Sequence, residues 1–312
     1  MTSLTHALKA EAHRLGFHLV GVTTPQPPPH FSVFENWLLQ GRHGEMDYLA
    51  TGRSRRCRTA PNQVLPECES ILVLGIRYPA PLETTPATQI GVLSGRVASY
   101  AWGEDYHDVL AGRLEALVNF TEAMVGHPVP SRWYTDTGPI MERDLAQRAG
   151  LGWIGKNTCL INPPLGSYFF LAEILLGIPL EPDQPFSADH CGGCTRCIEA
   201  CPTACILPDR TLDASRCISY LTIELRGAIP KVLRPLASNW VFGCDICQQV
   251  CPWNSRAIVS GQAQPFEPVF TTREDMPQPD LNREIKLSPQ AFNLRFRGSP
   301  VKEPNVAVIC AM

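Results

Sequence analysis

The sequence predicts a two-part molecule, an α/β (α+β) domain followed by a smaller cysteine-rich one, and three observations carry that prediction. Segments of helical and strand periodicity alternate over the first 180 residues. A Pro-rich stretch, PLEPDQPF at 179–186, then breaks the pattern. Beyond it, eight of the chain's thirteen cysteines fall into two runs of related spacing.

The elements follow from their residues. Leu4, Ala7, Leu8, Ala12 and Leu15 recur at helical spacing and stop at Gly16, after which FHLVGVT reads as a strand. ILVLGI at 71–76 is a buried strand and HDVLAGRLEALVNFTEAM a long amphipathic helix. SRWYTD is a strand, IMERDLAQRAG a helix ending on Gly150, and SYFFLAEILL a further apolar strand. This alternation is the signature of a layered mixed domain over 1–180. The cysteine-rich unit spans 181–256, and 257–312, with its polar PVFTTREDMPQPDLNREIKLSP, is expected to be an irregular wrapping tail rather than a third core.

The first cysteine run is Cys191-x-x-Cys194-x-x-Cys197-x-x-x-Cys201-Pro202, the spacing of a bacterial ferredoxin. The second is Cys217 followed, twenty-seven residues on, by Cys244-x-x-Cys247-x-x-x-Cys251-Pro252. Two [4Fe-4S] clusters are implied, a wire for single low-potential electrons. In two-cluster ferredoxins the Cys-Pro cysteine that closes one run ligates the other cluster. Cluster one is therefore assigned Cys191, Cys194, Cys197 and Cys251, and cluster two Cys201, Cys217, Cys244 and Cys247. A zinc knuckle wants two pairs without a third cysteine or Cys-Pro, and disulfides want an oxidising compartment, so both explain the spacing less well. Cys57, Cys68, Cys159, Cys205 and Cys310 lack cluster spacing and are expected to be core or surface thiols.

Composition narrows the class. No stretch approaches the roughly 20 apolar residues of a membrane span, and the N-terminal MTSLTHALKAEAHRLG has no apolar export core, so a cytoplasmic protein without a membrane partner is expected. A formal net charge of −3 argues against wholesale nucleic-acid binding but leaves room for local basic sites. Arg53, Arg55, Arg56 and Arg58, then Lys231 with Arg234, then Arg295 with Arg297, are the candidates, with solvated faces as the alternative.

The usual cofactor fingerprints fit poorly. Gly150-Leu-Gly152-Trp-Ile-Gly155 has dinucleotide spacing but follows a helix, not a strand. Asp105-x-His107-x-x-Leu110 is similar to the motif in which a histidine becomes the lower ligand of a cobalamin, yet its glycine is missing, so His107 is expected to cap or face solvent. GLGWIGKN, carrying Lys156 and Asn157, is a glycine loop rich in backbone donors, suited either to an amide-decorated cofactor or to a tight packed turn.

The segments SYAWGEDYHDVL, YTDTGPIMERDLAQRAGLGWIGKNTCLI, CGGCTRCIEACPTACI, RCISYLTIELRG and FGCDICQQVCPWN together resemble the epoxyqueuosine reductases, over nearly the whole chain and in the family's order. The resemblance implies a cobalamin-binding domain related to that of reductive dehalogenases, abutting the ferredoxin-like unit, with base-off cobalamin driven to Co(I) through the clusters. It implies the reduction of epoxyqueuosine to queuosine at the wobble position of a tRNA whose anticodon base is splayed out. Asp136 then stands at the position of the proton donor, with Tyr106 beside it; read from the residues alone, Asp136 at the start of a helix is more simply a cap. Arg58, Ser99, Asp136, Trp153, Gly155, Lys156, Asn157 and Ser219 are the cobalamin contacts the resemblance suggests. A monomer that takes electrons from a low-potential donor is expected. Many relatives continue past the segment Phe296 to Lys302 into helical repeats, whereas here EPNVAVICAM follows, which bears on tRNA grip more than on chemistry. Cys205 replaces the small residue usual after Cys-Pro. A reductive dehalogenase and a non-catalytic electron carrier are the competing readings.

Overall fold

The structure, a computed structural model, describes residues 3–81, 93–259 and 265–302. Cys310 and EPNVAVICAM lie outside the described residues. The strands are β1 (Leu19–Thr23), β2 (Ser70–Arg77), β3 (Arg96–Val97), β4 (Ser131–Tyr134), β5 (Trp153–Ile154), β6 (Leu160–Ile161), β7 (Phe169–Leu176) and β8 (Trp240–Phe242). Over the first domain the helices are α1 (Leu4–Arg14), α2 (Phe31–Leu39), α3 (Asp47–Ala50), α4 (Gly52–Thr59), α5 (Tyr106–Val125) and α6 (Glu142–Arg148). The main sheet runs β1-β2-β7-β4. Every pairing in it is antiparallel, so the alternation along the chain resolves as α+β rather than a parallel α/β sheet.

All eight residues of β2 are buried, which is why ILVLGI reads as a continuous apolar run instead of an alternating one. Leu72, Leu74 and Ile76 pack with Leu8 and Ala12 of α1 and Leu110, Leu114 and Leu117 of α5 on one face. Ile71, Val73 and Leu175 pack with Leu145 and Ala146 of α6, and with Ala149 just after it, on the other. Asp105 caps α5, its carboxylate accepting the His107 N–H, and Gly126 ends that helix in the left-handed region at φ 80°. The cap thus fixes Tyr106 at the first turn, over the sheet.

GLGWIGKN is not a free loop. Its Trp153–Ile154 pairs as β5 with β6 in a tight hairpin, and a Cβ at Gly152 would fall 2.1 Å from the Ile161 carbonyl oxygen, which explains that glycine.

Two short helices, α7 (Arg196–Ala200) and α10 (Ile246–Gln249), carry Cys197 and Cys247 and pack against each other in the cysteine-rich unit. Between them lie α8 (Ile218–Ile223) and α9 (Arg234–Ala237), and α11 (Pro252–Val259) follows the last cysteine. The unit is knit to the first domain, because β3 pairs in parallel with β8. Among the described residues no helix is long and apolar enough to cross a membrane.

The tail departs from expectation. It forms α12 (Leu281–Glu284) and α13 (Pro289–Arg295), and its Met276, Phe292, Phe296 and Val301 are buried in a core with Val97, Trp102, Val241 and Phe242. Its apolar residues are too widely spaced to show a period, yet they converge on the β3–β8 seam. We predict that Phe296→Ala lowers unfolding free energy by about 3–5 kcal/mol, the cost of emptying a buried aromatic site. Denaturant titration checks this, and a loss below about 1 kcal/mol would mean the tail merely wraps.

Candidate active site and iron–sulfur centres

β4 delivers the reactive loop. After Tyr134, the Thr135 hydroxyl donates to the Leu171 carbonyl of β7 at 2.9 Å, tying the strand end down. Asp136 follows at φ 61°, a left-handed conformation that aspartate tolerates better than most residues. Its carboxylate Oδ2 accepts the Tyr106 hydroxyl at 2.9 Å, and its backbone N–H donates to Glu142 Oε1 at 2.8 Å. Gly138 is required two residues on, since a Cβ there would meet the Tyr134 ring at 2.5 Å. The cap reading of Asp136 is therefore corrected: α6 starts at Glu142 with Met141 as its N-terminal flank, and the Asp136 side chain is engaged by Tyr106.

Tyr106 is held by stacking on Phe170, with ring centroids 4.3 Å apart, and on His107 at 4.0 Å. Burial, and then the negative charge of Asp136, push its hydroxyl far above the ordinary phenol range. It therefore serves as a fixed donor that orients the carboxylate. His107 Nδ1 lies 2.9 Å from Asp105 Oδ1, so Asp105 and not His107 is the capping residue.

Arg58 joins the same site. Its guanidinium lies over the Phe34 ring, 5.5 Å from the centroid, and reaches the Gly138 carbonyl at 3.5 Å. The rest of the arginine run differs: Arg55 pairs with Glu35, and Arg53 and Arg56 are exposed on α4. Arg295 is committed to Glu284 at 2.9 Å, while Lys231, Arg234 and Arg297 are exposed.

Charge interactions reach between the two cysteine runs. Cys251 interacts electrostatically with Cys191, and Cys197 with both Cys191 and Cys251. Cys244 interacts with Cys217 and Cys201, and Cys247 with Cys244 and Cys217. The Cys-Pro rule would join Cys251 to the first set and Cys201 to the second. Among the described residues no three His, Cys, Asp or Glu converge on a single metal-ion position; a cubane instead takes one thiolate at each of four separate corners and fits a spread set. Cys205 is not a remote core thiol. It is buried, and its Sγ lies 3.4 Å from that of Cys201. Its hydrogen bonds draw Cys201 down to about 5 and Cys217 down to about 7, favouring the thiolate form that iron takes. Cys159 hydrogen-bonds Cys247 in the opposite sense, which lowers Cys159 and raises Cys247, while Cys57 and Cys68 are ordinary buried thiols.

The residues expected around the cofactor divide. Trp153 is buried, and its indole N–H points at Cys191 Sγ, 3.5 Å away, within a cage of Phe186, His190 and Trp253. Lys156 Nζ donates to the carbonyls of Gly192 (2.7 Å) and Cys194 (2.9 Å). Both therefore brace the cluster-one loop instead of standing open in a glycine cradle. Asn157, beside Gly155 in the hairpin, is buried with an Nδ2 that has no hydrogen-bond partner, the kind of donor that a corrin amide carbonyl would satisfy. Ser99 is 1% exposed, its N–H donating to Asp245 Oδ2 at 2.7 Å beside the second cysteine run, and Ser219 lies in the first turn of α8 after Cys217. The donors present thus fit an amide-rich group.

Sequence reading missed Glu142 and Glu173. Glu173 is 0% exposed in the middle of β7, and neither carboxylate oxygen has a hydrogen-bond partner. Its signal was available: a lone acid inside FFLAEILL is costly to bury and asks for a reason.

Two cysteine runs of ferredoxin spacing together with a tyrosine-braced carboxylate mark an iron–sulfur oxidoreductase. Residues 190–254 match a family model described as a 4Fe-4S double cluster binding domain, and residues 58–137 one described as epoxyqueuosine reductase QueG. The chain is 41% identical to the epoxyqueuosine reductase of Pseudomonas aeruginosa, covering 96% of this chain and 81% of that one. It is 37% identical to that of Escherichia coli, over 97% and 77%. A crystal structure of epoxyqueuosine reductase with an epoxyqueuosine-modified tRNA-Tyr stem loop superposes with a TM-score of 0.83 at 32% identity, covering 95% of this chain and 76% of that one. A Bacillus subtilis epoxyqueuosine reductase whose catalytic aspartate loop is swung out of the active site gives 0.82, at the same identity and coverage. The chain belongs to the epoxyqueuosine reductase family.

We predict that Cys251→Ala removes cluster one although Cys251 closes the second run. Iron analysis and electron paramagnetic resonance should show one remaining cluster, with the features of the set Cys201, Cys217, Cys244 and Cys247. Loss confined to that set instead would overturn the crossed assignment.

Proposed function

We propose that this protein reduces epoxyqueuosine to queuosine at the wobble position of tRNA in the cytoplasm, as a monomer, with cobalamin and two [4Fe-4S] clusters as cofactors and Asp136 as proton donor. The observation that carries the reading is the Tyr106–Asp136 pair: a carboxylate on a left-handed loop, capping nothing, aimed by a buried phenol. The relative solved with a modified tRNA stem loop, and the relative whose catalytic aspartate sits on a movable loop, support it.

Removing the epoxide oxygen breaks two C–O bonds, forms a C=C bond, consumes two electrons and two protons, and releases water. Base-off cobalamin, when bound, supplies the low-potential reducing centre next to the substrate. Ser99, Gly155, Asn157, Arg58 and Ser219 would hold it, while Trp153 and Lys156 keep the cluster-one loop against the hairpin so that electrons arrive from a low-potential donor through the thiol-held clusters. Asp136 is exposed, so the desolvation that suits a carboxylic acid to proton donation comes from the cofactor and the flipped base closing over it. Tyr106 fixes Oδ2 and leaves the other oxygen to face the departing oxygen. Arg53 and Arg56, exposed on α4, the helix that also carries Arg58, are the candidates for phosphate contact.

Asp136→Asn tests the acid. Asparagine also tolerates positive φ and still accepts from Tyr106, but it has no acidic proton. Turnover of epoxyqueuosine in an anticodon stem-loop should fall about a hundredfold or more, with cluster and corrin content unchanged; near wild-type turnover would assign the carboxyl a structural role. His107→Ala tests the lower face of the cofactor. Its ring is engaged by Asp105 and Tyr106, so the Co(II) resonance of the loaded protein should keep its axial pattern, and a changed nitrogen splitting would make His107 a ligand.

A further inference from the structure

The reaction takes two protons, and one carboxylic acid holds one. A second proton must reach the departing oxygen while tRNA and cofactor cover the site. The structure places two more acids behind Asp136. Glu142 opens α6 and accepts the Asp136 N–H at 2.8 Å. Glu173 projects from β7 on the face packed by Leu145 and Ala146 of α6, and it pairs in register with Tyr134, two residues before Asp136. An acidic cluster alone would mean little. The independent observation is that Glu173 is wholly buried with both oxygens unpartnered, and that the charges it senses are those of Glu142 and Asp136. A buried carboxyl with neither a cation nor a hydrogen-bond donor is stable only when it carries its proton.

We propose that Glu142, backed by Glu173, is the proton reserve of the site and reloads Asp136 within a single turnover. Glu142 acts through Asp136 and does not touch substrate. Asp136 gives its proton as the first C–O bond opens and becomes carboxylate. The Glu142 carboxyl then passes its proton to Asp136, which delivers it as the second C–O bond breaks and water leaves. Both acids refill from solvent at the exposed Asp136 once product has gone.

The groups around Glu142 set when the reserve is full. Burial raises its proton affinity first and the charge of Asp136 second, while Arg143 and Arg58 oppose them, and the carboxyl is pushed up to about 7. Glu173 and Tyr106 also sense its charge, and Glu173 is itself held well above the carboxylate range by burial. The reserve is thus loaded below about pH 7 and empties above it. Because the folded-state value exceeds the unfolded one, the protonated carboxyl's share of stability is complete at acid pH and is lost as pH rises through about 7.

The inference rests on the proposed role of Asp136, and its test uses Glu142→Gln. Glutamine still accepts the Asp136 N–H through Oε1 but stores no proton. Reduction of the epoxyqueuosine stem-loop should slow about tenfold or more, and its decline as pH rises through 7 should disappear. In the apoprotein, the fall in unfolding stability across the same window should shrink relative to wild type, a readout independent of cofactor. Glu173→Gln, which keeps both Glu142 and the loop and imitates the protonated carboxyl, should leave the activity limb where it is, and a limb moved to lower pH would overturn the reading of Glu173 as a neutral backing acid. A Glu142→Gln enzyme with the wild-type rate and pH profile would overturn the reserve. If Asp136→Asn is dead in the same assay, the reading of Asp136 survives that failure; if Asp136→Asn is active, the reading itself fails.

Discussion

The antiparallel pairing of β7 with β2 on one side and β4 on the other is the constraint on which the rest depends. It closes the sheet that α1 and α5 cover on one face and α6 on the other. It also sets the site: Phe170 supports the Tyr106 ring, Leu171 tethers Thr135, and Glu173 lies opposite Tyr134. A one-residue slip of this pairing would turn Glu173 to the other face and separate the three acids.

The ferredoxin-like unit obeys a second constraint, that a thiolate must reach each corner of a cluster. Under the crossed assignment Cys201 and Cys251 would satisfy it between the runs, where α7 packs against α10. The unit is coupled to the catalytic domain where Trp153 and Lys156 meet the loop of Cys191 to Cys194, and where β3 pairs with β8. The two parts therefore meet both at this loop and at a strand pairing. Extra thiols at Cys205 and Cys159 hydrogen-bond Cys201 and Cys247, and hydrogen bonds to cluster sulfurs are among the means by which proteins tune potential.

The proton side is built by different physics. Cluster ligation needs soft anions held open, whereas proton delivery needs carboxyls kept neutral by low dielectric and by one another. β7 serves the proton side from both faces: its Glu173 faces α6, and its even-numbered apolar residues face α5 and the core that supports Tyr106.

By itself the sequence determined the parts whose chemistry is written in spacing: both cysteine runs, the order of helices and strands, and the Asp136 and Tyr106 segments that carry the family resemblance. Such features are local, set by reach along the chain or by periodicity. Tertiary structure decided the rest. That the sheet is antiparallel follows from which strands meet, to which alternation is blind. That the tail fills a core depends on Met276, Phe292, Phe296 and Val301 converging from separated positions. That Lys156 braces a cluster loop, that Cys205 touches Cys201, and that Glu142 and Glu173 stand behind Asp136 are juxtapositions of residues far apart in sequence. Burial and charge neighbourhood, which assign those groups their roles, exist only once the chain has closed on itself.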